Sequence, residues 1–289
     1  MFTLPGMRLV SFDAGDGARA GVLEGERVVD AWAALGEPHR GNLRELIADG
    51  RVDELRASCG NAGTPAHPRS AITLLPPITD PDKIVCIGLN YGKHAAEGGM
   101  EVPGSPTIFA KYRNALAAPG AAVRLPANSR KADYEAEVAF VVGRRAKDVA
   151  EAEALDHVAG YMLLNDLSAR DLQFSTPQWM SGKVFDGSAP CGPALVTPDE
   201  AGPHDEIEIR LTLNGEQMQG ASTAELIFSV PQLLSHLSQL MTLEPGDIVS
   251  TGTPDGVGSV RQPRVWLADG DEIVIESPTL GRLETTLKG

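Results

Sequence analysis

Three cysteines in 289 residues, Cys59, Cys86 and Cys191, contain no C-x-x-C pair and leave an odd count. That pattern fits free thiols in a reducing compartment better than a disulfide framework. Aromatic residues make up only 5%, while Gly (31) and Pro (21) are frequent, which argues against a helical bundle and for many short elements joined by turns. Positive charge is also scarce: 25 Lys+Arg face 39 Asp+Glu, a formal net charge of −14. Such a surface repels phosphate backbones and anionic lipid, so nucleic acid and membranes are poor partners. No apolar run approaches the roughly 18 residues that would span a bilayer. The opening MFTLPGMRLV lacks a basic segment followed by a long apolar one. These absences give the expectation of a cytoplasmic protein. Residues 1–6 read as an upstream start or a loose extension, since Met7 opens the first strand-like stretch.

What is present suffices for a large core, with 42% hydrophobic residues. The length suggests one large domain plus a smaller one. Residues 7–30 read as short strands with Gly turns, and 42–56 as a helix with Leu43, Leu46, Ile47 and Leu55 at helical spacing. Residues 60–82, rich in Pro, Gly, Ser and Thr, read as a linker, giving domains at 1–75 and 76–289. Beyond it, strands are expected at 83–88, 136–143, 159–165, 206–214, 247–251, 264–268 and 272–276. Helices are expected only at 149–155 and 229–240. Helices so few, without regular alternation with strands, favour an α+β fold.

The run Asp133-Tyr-Glu135-Ala-Glu137 leads directly into the apolar VAFVV. Alternate side chains of a strand share a face, so Glu135 and Glu137 project together, with Asp133 behind them. Two carboxylates approaching a core repel each other and are costly to desolvate unless a cation neutralises them. The plain alternative is a half-exposed strand with a polar outer face. Asp166 ends another apolar strand, where the chain turns. Helix initiation is the plainer reading there, with Ser168 and Asp171 resembling a capping box. If Asp166 joins Glu135 and Glu137, three carboxylates without His or Cys select Mg²⁺, with Mn²⁺ or Ca²⁺ next, over zinc.

His94 and Glu97 are three apart, so in a helical turn they share a face. A carboxylate that orients an imidazole makes a general base, although a casual surface neighbour has the same spacing. Flanking glycines at 92, 98 and 99 would let this turn move. Lys183 lies in a Gly/Pro-dense loop, placed to stabilise a developing enolate or simply to keep a surface soluble. Thr251-Gly252-Thr253-Pro254 follows a strand and offers N–H groups and hydroxyls to a carboxylate, without the spacing of a phosphate-binding loop.

Taken in order, IGLNYGKHAAE (87–97), DYEAEVAFVVG (133–143), NDLSARDLQ (165–173), GKVFDGSAPCGP (182–193) and TGTPDGVG (251–258) resemble the fumarylacetoacetate hydrolase superfamily, in its acylpyruvase and 2-hydroxyhepta-2,4-diene-1,7-dioate isomerase-like branch. The resemblance covers about 83–289. It implies an α+β mixed β-roll behind a small N-terminal α+β domain, and a homodimer. It further implies Glu135, Glu137 and Asp166 as ligands of Mg²⁺ or a similar ion, and His94 with Glu97 as the pair that activates water. Lys183 would stand beside the metal, with Gln173, Thr253, Gly252 and Tyr91 as substrate contacts. Asp255 and Ala117–Gly120 depart from the usual pattern and bear on substrate identity. The expected activity is hydrolysis of a C–C bond in an acylpyruvate-type 2-oxo acid. Isomerisation of hydroxy-dienedioates and decarboxylation of oxaloacetate-like acids are the alternatives. A catalytically silent metal- or metabolite-binding dimer would be expected to have lost some of these positions, and a phosphate-handling enzyme would need more basic groups in the motifs.

Overall fold

In the computed structural model, which describes residues 6–38, 41–59 and 64–289, the run Ala136–Val142 is a strand buried at every position. Its two faces serve two cores. Val138, Phe140 and Val142 pack with Leu211, Ile275 and Leu283, whereas Ala139 and Val141 pack with Leu164, Ile248 and Leu46. A strand covered on both sides reads as a continuous apolar run, as VAFVV does.

This strand is central in a large mixed sheet. It pairs antiparallel with Val158–Asn165 and with Ile248–Ser250, and the latter runs parallel to Ile84–Gly88. Thr107–Lys111 completes that side. On the other side Ala189–Val196 pairs with Val158–Asn165 and then with Arg8–Asp13, in the register Leu9↔Leu195. A second sheet of five strands, Glu216–Ser222, Glu208–Leu213, Glu272–Ser277, Gly281–Lys288 and Ala122–Arg124, packs across the first core. Glu208–Leu213 buries alternate residues, as its sequence alternation predicts. The helix Val230–Leu240 closes this core with Leu233, Leu234 and Leu237. It is started by Ser229 and Gln232, whose side chains form a reciprocal cap. The architecture is α+β, with few helices.

Several expectations need correction. The helix expected over 42–56 is two, Leu43–Ala48 and Val52–Ser58, separated by Gly50 at φ +68°. The helix expected at 149–155 is a 3₁₀ helix shifted to Glu151–His157. No strand forms at 264–268; this segment is held by single backbone bonds, Val265 to Gly258 and Leu267 to Ala132, and not by a ladder. Ser168 forms no capping box; it pairs with Asp133 as a short strand. Within the supposed linker, Ala66–Pro68 pairs with Arg27–Val29 and Thr73–Leu74 with Phe12–Asp13, so this stretch belongs to the sheet. Residues 60–63, and 1–5 of the leading extension, lie outside the described residues. Among the described residues no helix is long and apolar enough to cross a membrane.

Candidate active site

Register brings the acids together. Ala136 lies opposite Asn165, so Glu135 and Asp166, each one residue beyond its strand, meet across the pair; the Asp166 N–H donates to the Glu135 carbonyl at 2.9 Å. Glu137 is the second residue of its strand. Carboxylate oxygens of Glu135, Glu137 and Asp166 all lie within 4.8 Å of one another, and all three residues are buried.

Three cations answer most of this charge. Lys183 Nζ sits 2.6 Å from Glu135 Oε2 and 2.8 Å from Asp166 Oδ2. Arg170 lies 2.7 Å from Glu135 and 2.9 Å from Asp133. Lys111, fully buried, lies 2.8 Å from the other Asp166 oxygen and donates to the Ser188 carbonyl and hydroxyl. Glu137 has no cation within ion-pair distance among the described residues. Its Oε2 accepts from the Ser250 hydroxyl and from the Gly252 N–H at 3.0 Å.

The titration behaviour follows from this asymmetry. Burial alone would raise Glu135, but Lys183 and Arg170 hold it well below the ordinary carboxylate range. Glu137 is pushed up to about 8 by burial and by the charges of Asp166 and Glu135. Burial opposes the charge on Lys183, yet Asp166 and Glu135 raise it overall. A hard divalent cation fits this cluster. The donors are all carboxylate oxygens, they converge, and one of them lacks a positive partner.

The His94–Glu97 pair forms as its spacing predicts, on the helix Gly92–Glu97, with His94 Nδ1 2.8 Å from Glu97 Oε1. The other Glu97 oxygen accepts the Gly256 N–H at 2.9 Å, which ties the helix to the glycine-rich loop. His94, Glu135, Glu137 and Lys183 line one cavity of about 580 Å³. Its walls include Phe109, Phe174, Trp179 and Trp266.

Gln173 and Thr253 also reach this wall; Gln173 accepts from Arg170, and Thr253 bonds Gln219 and the Ala136 carbonyl. Tyr91 and Gly252 lie off the wall. Tyr91 is only 2% exposed, its backbone bridging to Leu226, and Gly252 turns its N–H toward Glu137. Asp255 and Ala117–Gly120 are off the wall as well. Sequence reasoning placed Asp133 behind the glutamates without a role. It receives the N–H groups of Gly258 and Ser259 together with Arg170, joining the glycine-rich loop to the acid cluster. Arg170 was visible inside a motif, whereas nothing near Lys111 in the sequence marks it as an ion-pair partner.

The chain matches the family profile "Fumarylacetoacetate (FAA) hydrolase C-terminal" over residues 83–288. It is 44% identical over 219 residues to the mitochondrial oxaloacetate tautomerase FAHD2A of Bos taurus, covering 75% of this chain and 70% of that protein. Among solved structures, a fumarylacetoacetate hydrolase from Exiguobacterium antarcticum superposes with a TM-score of 0.84 at 32% identity, covering 98% of this chain and 99% of that one. Maleylpyruvate hydrolase from Sphingobium sp. SYK-6, in complex with manganese(II) and pyruvate, gives 0.81 at 30% identity, covering 98% and 100%. With the motifs, the acid cluster and these matches in agreement, the chain belongs to the fumarylacetoacetate hydrolase family.

Proposed function

We propose that the chain binds a 2-oxo acid on a divalent ion, Mg²⁺ or Mn²⁺, and moves a proton at the carbon next to its oxo group. The reaction is keto–enol interconversion of an oxaloacetate-type acid. The observation that carries this reading is that His94, held by Glu97, lines the same cavity as Glu135 and Glu137, two members of the three-carboxylate cluster. The 44% identity to an oxaloacetate tautomerase supports it.

Glu135, Glu137 and Asp166 would hold the ion. When bound, the ion supplies Lewis acidity that polarises the 2-oxo group and its neighbouring carboxylate. With Nδ1 engaged by Glu97, His94 presents Nε2 to the substrate and takes the C3 proton; Glu97 stabilises the imidazolium that results. The proton lost from C3 is balanced by one delivered to the 2-oxo oxygen, and the reverse sequence restores the keto form. Lys183 adds positive charge where the oxygen becomes negative.

C–C bond hydrolysis of an acylpyruvate is the second reading. The same pair would there deprotonate water, and the structural likeness to maleylpyruvate hydrolase favours it. Both are tested by following enol absorbance of oxaloacetate and cleavage of acylpyruvates with Mg²⁺, Mn²⁺ or EDTA. Wild type should accelerate enol decay only with metal, and His94→Ala should lower the rate by about 10²–10⁴-fold. Cleavage of acylpyruvates without enol acceleration would replace the first reading by the second.

A further inference from the structure

Resting on the proposed function, we infer that Arg264 and Lys131 form an anion subsite at the cavity mouth. It takes the second carboxylate of a 2-oxo dioic acid. Both residues line the cavity that holds the carboxylate cluster, and both are exposed, unlike Lys183 and Arg170 at its buried end. They stand on adjacent segments. The Leu267 N–H donates to the Ala132 carbonyl at 2.9 Å, holding the extended stretch that carries Arg264 alongside Lys131. The Arg170 N–H bonds the Lys131 carbonyl at 2.9 Å, fixing that backbone from the other side.

The charges of these two residues are uncommitted. Neither side chain has an ion-pair partner among the described residues, whereas Arg19, Arg44, Arg51 and Arg282 each lie within 3.3 Å of a carboxylate. Other exposed basic residues, Arg113 and Arg124 among them, also lack an ion pair among the described residues, but Arg264 and Lys131 are the two that line the cavity holding the carboxylate cluster. Asp171, the acid of the wall outside the carboxylate cluster, is already engaged. It accepts from the Ser129 hydroxyl and from the Arg130 and Leu172 N–H groups. The inner cations are no alternative for a second carboxylate, because Lys183 and Arg170 are taken by Glu135, Asp166 and Asp133.

Arg264 offers a planar fork for bidentate contact and Lys131 a point charge. The aromatic residues of the same cavity, Trp179 and Trp266 among them, suit the carbon chain of the substrate.

The test uses two ligands of equal chain length, 2-oxoglutarate and 2-oxopentanoate, which differ in the distal carboxylate. Binding to the Mn²⁺-supplemented full chain is measured by calorimetry and by quenching of tryptophan fluorescence, with oxaloacetate enol decay followed in parallel. Wild type should prefer 2-oxoglutarate by about 10- to 100-fold, the worth of a charge-assisted contact. In Arg264→Leu and Lys131→Leu that ratio should move toward one, and Arg264→Lys should restore part of it. Higher salt should narrow the wild-type ratio, because the subsite is exposed. Equal binding of the two ligands by an active wild type overturns the subsite alone. Absence of both binding and turnover overturns the subsite and the proposed function together.

Discussion

Glu137 stands apart from its neighbours, receiving two neutral donors where Glu135 and Asp166 receive cations. Its proton is therefore the sensitive one. A carboxyl raised from 4.5 to about 8 binds more protons in the folded state than in the unfolded state between those values. Stability in EDTA should then fall as pH rises from about 5 to 8. Glu135, held low, adds stability that is lost only in acid, below about 4.5, so it does not confuse this window. Thermal melts should show the slope in EDTA, lose it with saturating Mg²⁺, and lose it in Glu137→Gln. A flat profile for wild type in EDTA would mean that Glu137 is ionised throughout. The acids themselves were legible because two of them share one strand face and the third ends another. Lys111 was not, because its partners, Asp166 to Ser188, lie 55 to 77 residues away and only the fold collects them.

At the scale of elements, position depends on close approaches that sequence shows only as glycine. Gly182 ends the 3₁₀ turn Trp179–Gly182 and rests against the helix Arg170–Gln173. A Cβ there would meet the Ala169 carbonyl at 2.4 Å and the Gln173 nitrogen at 2.5 Å, both backbone atoms. Gly182→Ala should lower stability by about 1–3 kcal/mol. It should also weaken divalent-ion binding, because Lys183 follows directly; calorimetry would report both. Unchanged ion affinity would show that the turn does not position Lys183. Strands with strong patterning, 136–142 and 208–213, were readable. The segment 264–268 was not, since its apolar run VWLA mimics a buried strand while its N–H groups bond two different segments.

For the whole molecule, the compositional shift across 60–82 suggested separate domains, yet pairing of Arg8–Asp13 with Ala189–Val196 runs the sheet through both parts. Met7, Leu9, Trp32 and Leu43 share a core with Ala139, Val141 and Leu164. Removing residues 1–75 should bare an apolar sheet face and a strand edge, giving aggregated protein on size-exclusion chromatography. A monodisperse, folded remainder would contradict this. Composition could not reveal such continuity, because strand pairing at long separation leaves no local mark. A different consequence follows from the bond between Glu97 and the Gly256 N–H. That latch uses the backbone, so the side chain at Asp255 beside it is free to change over generations without disturbing the base. A lineage can thus alter what the loop meets while inheriting the same proton-transfer machinery.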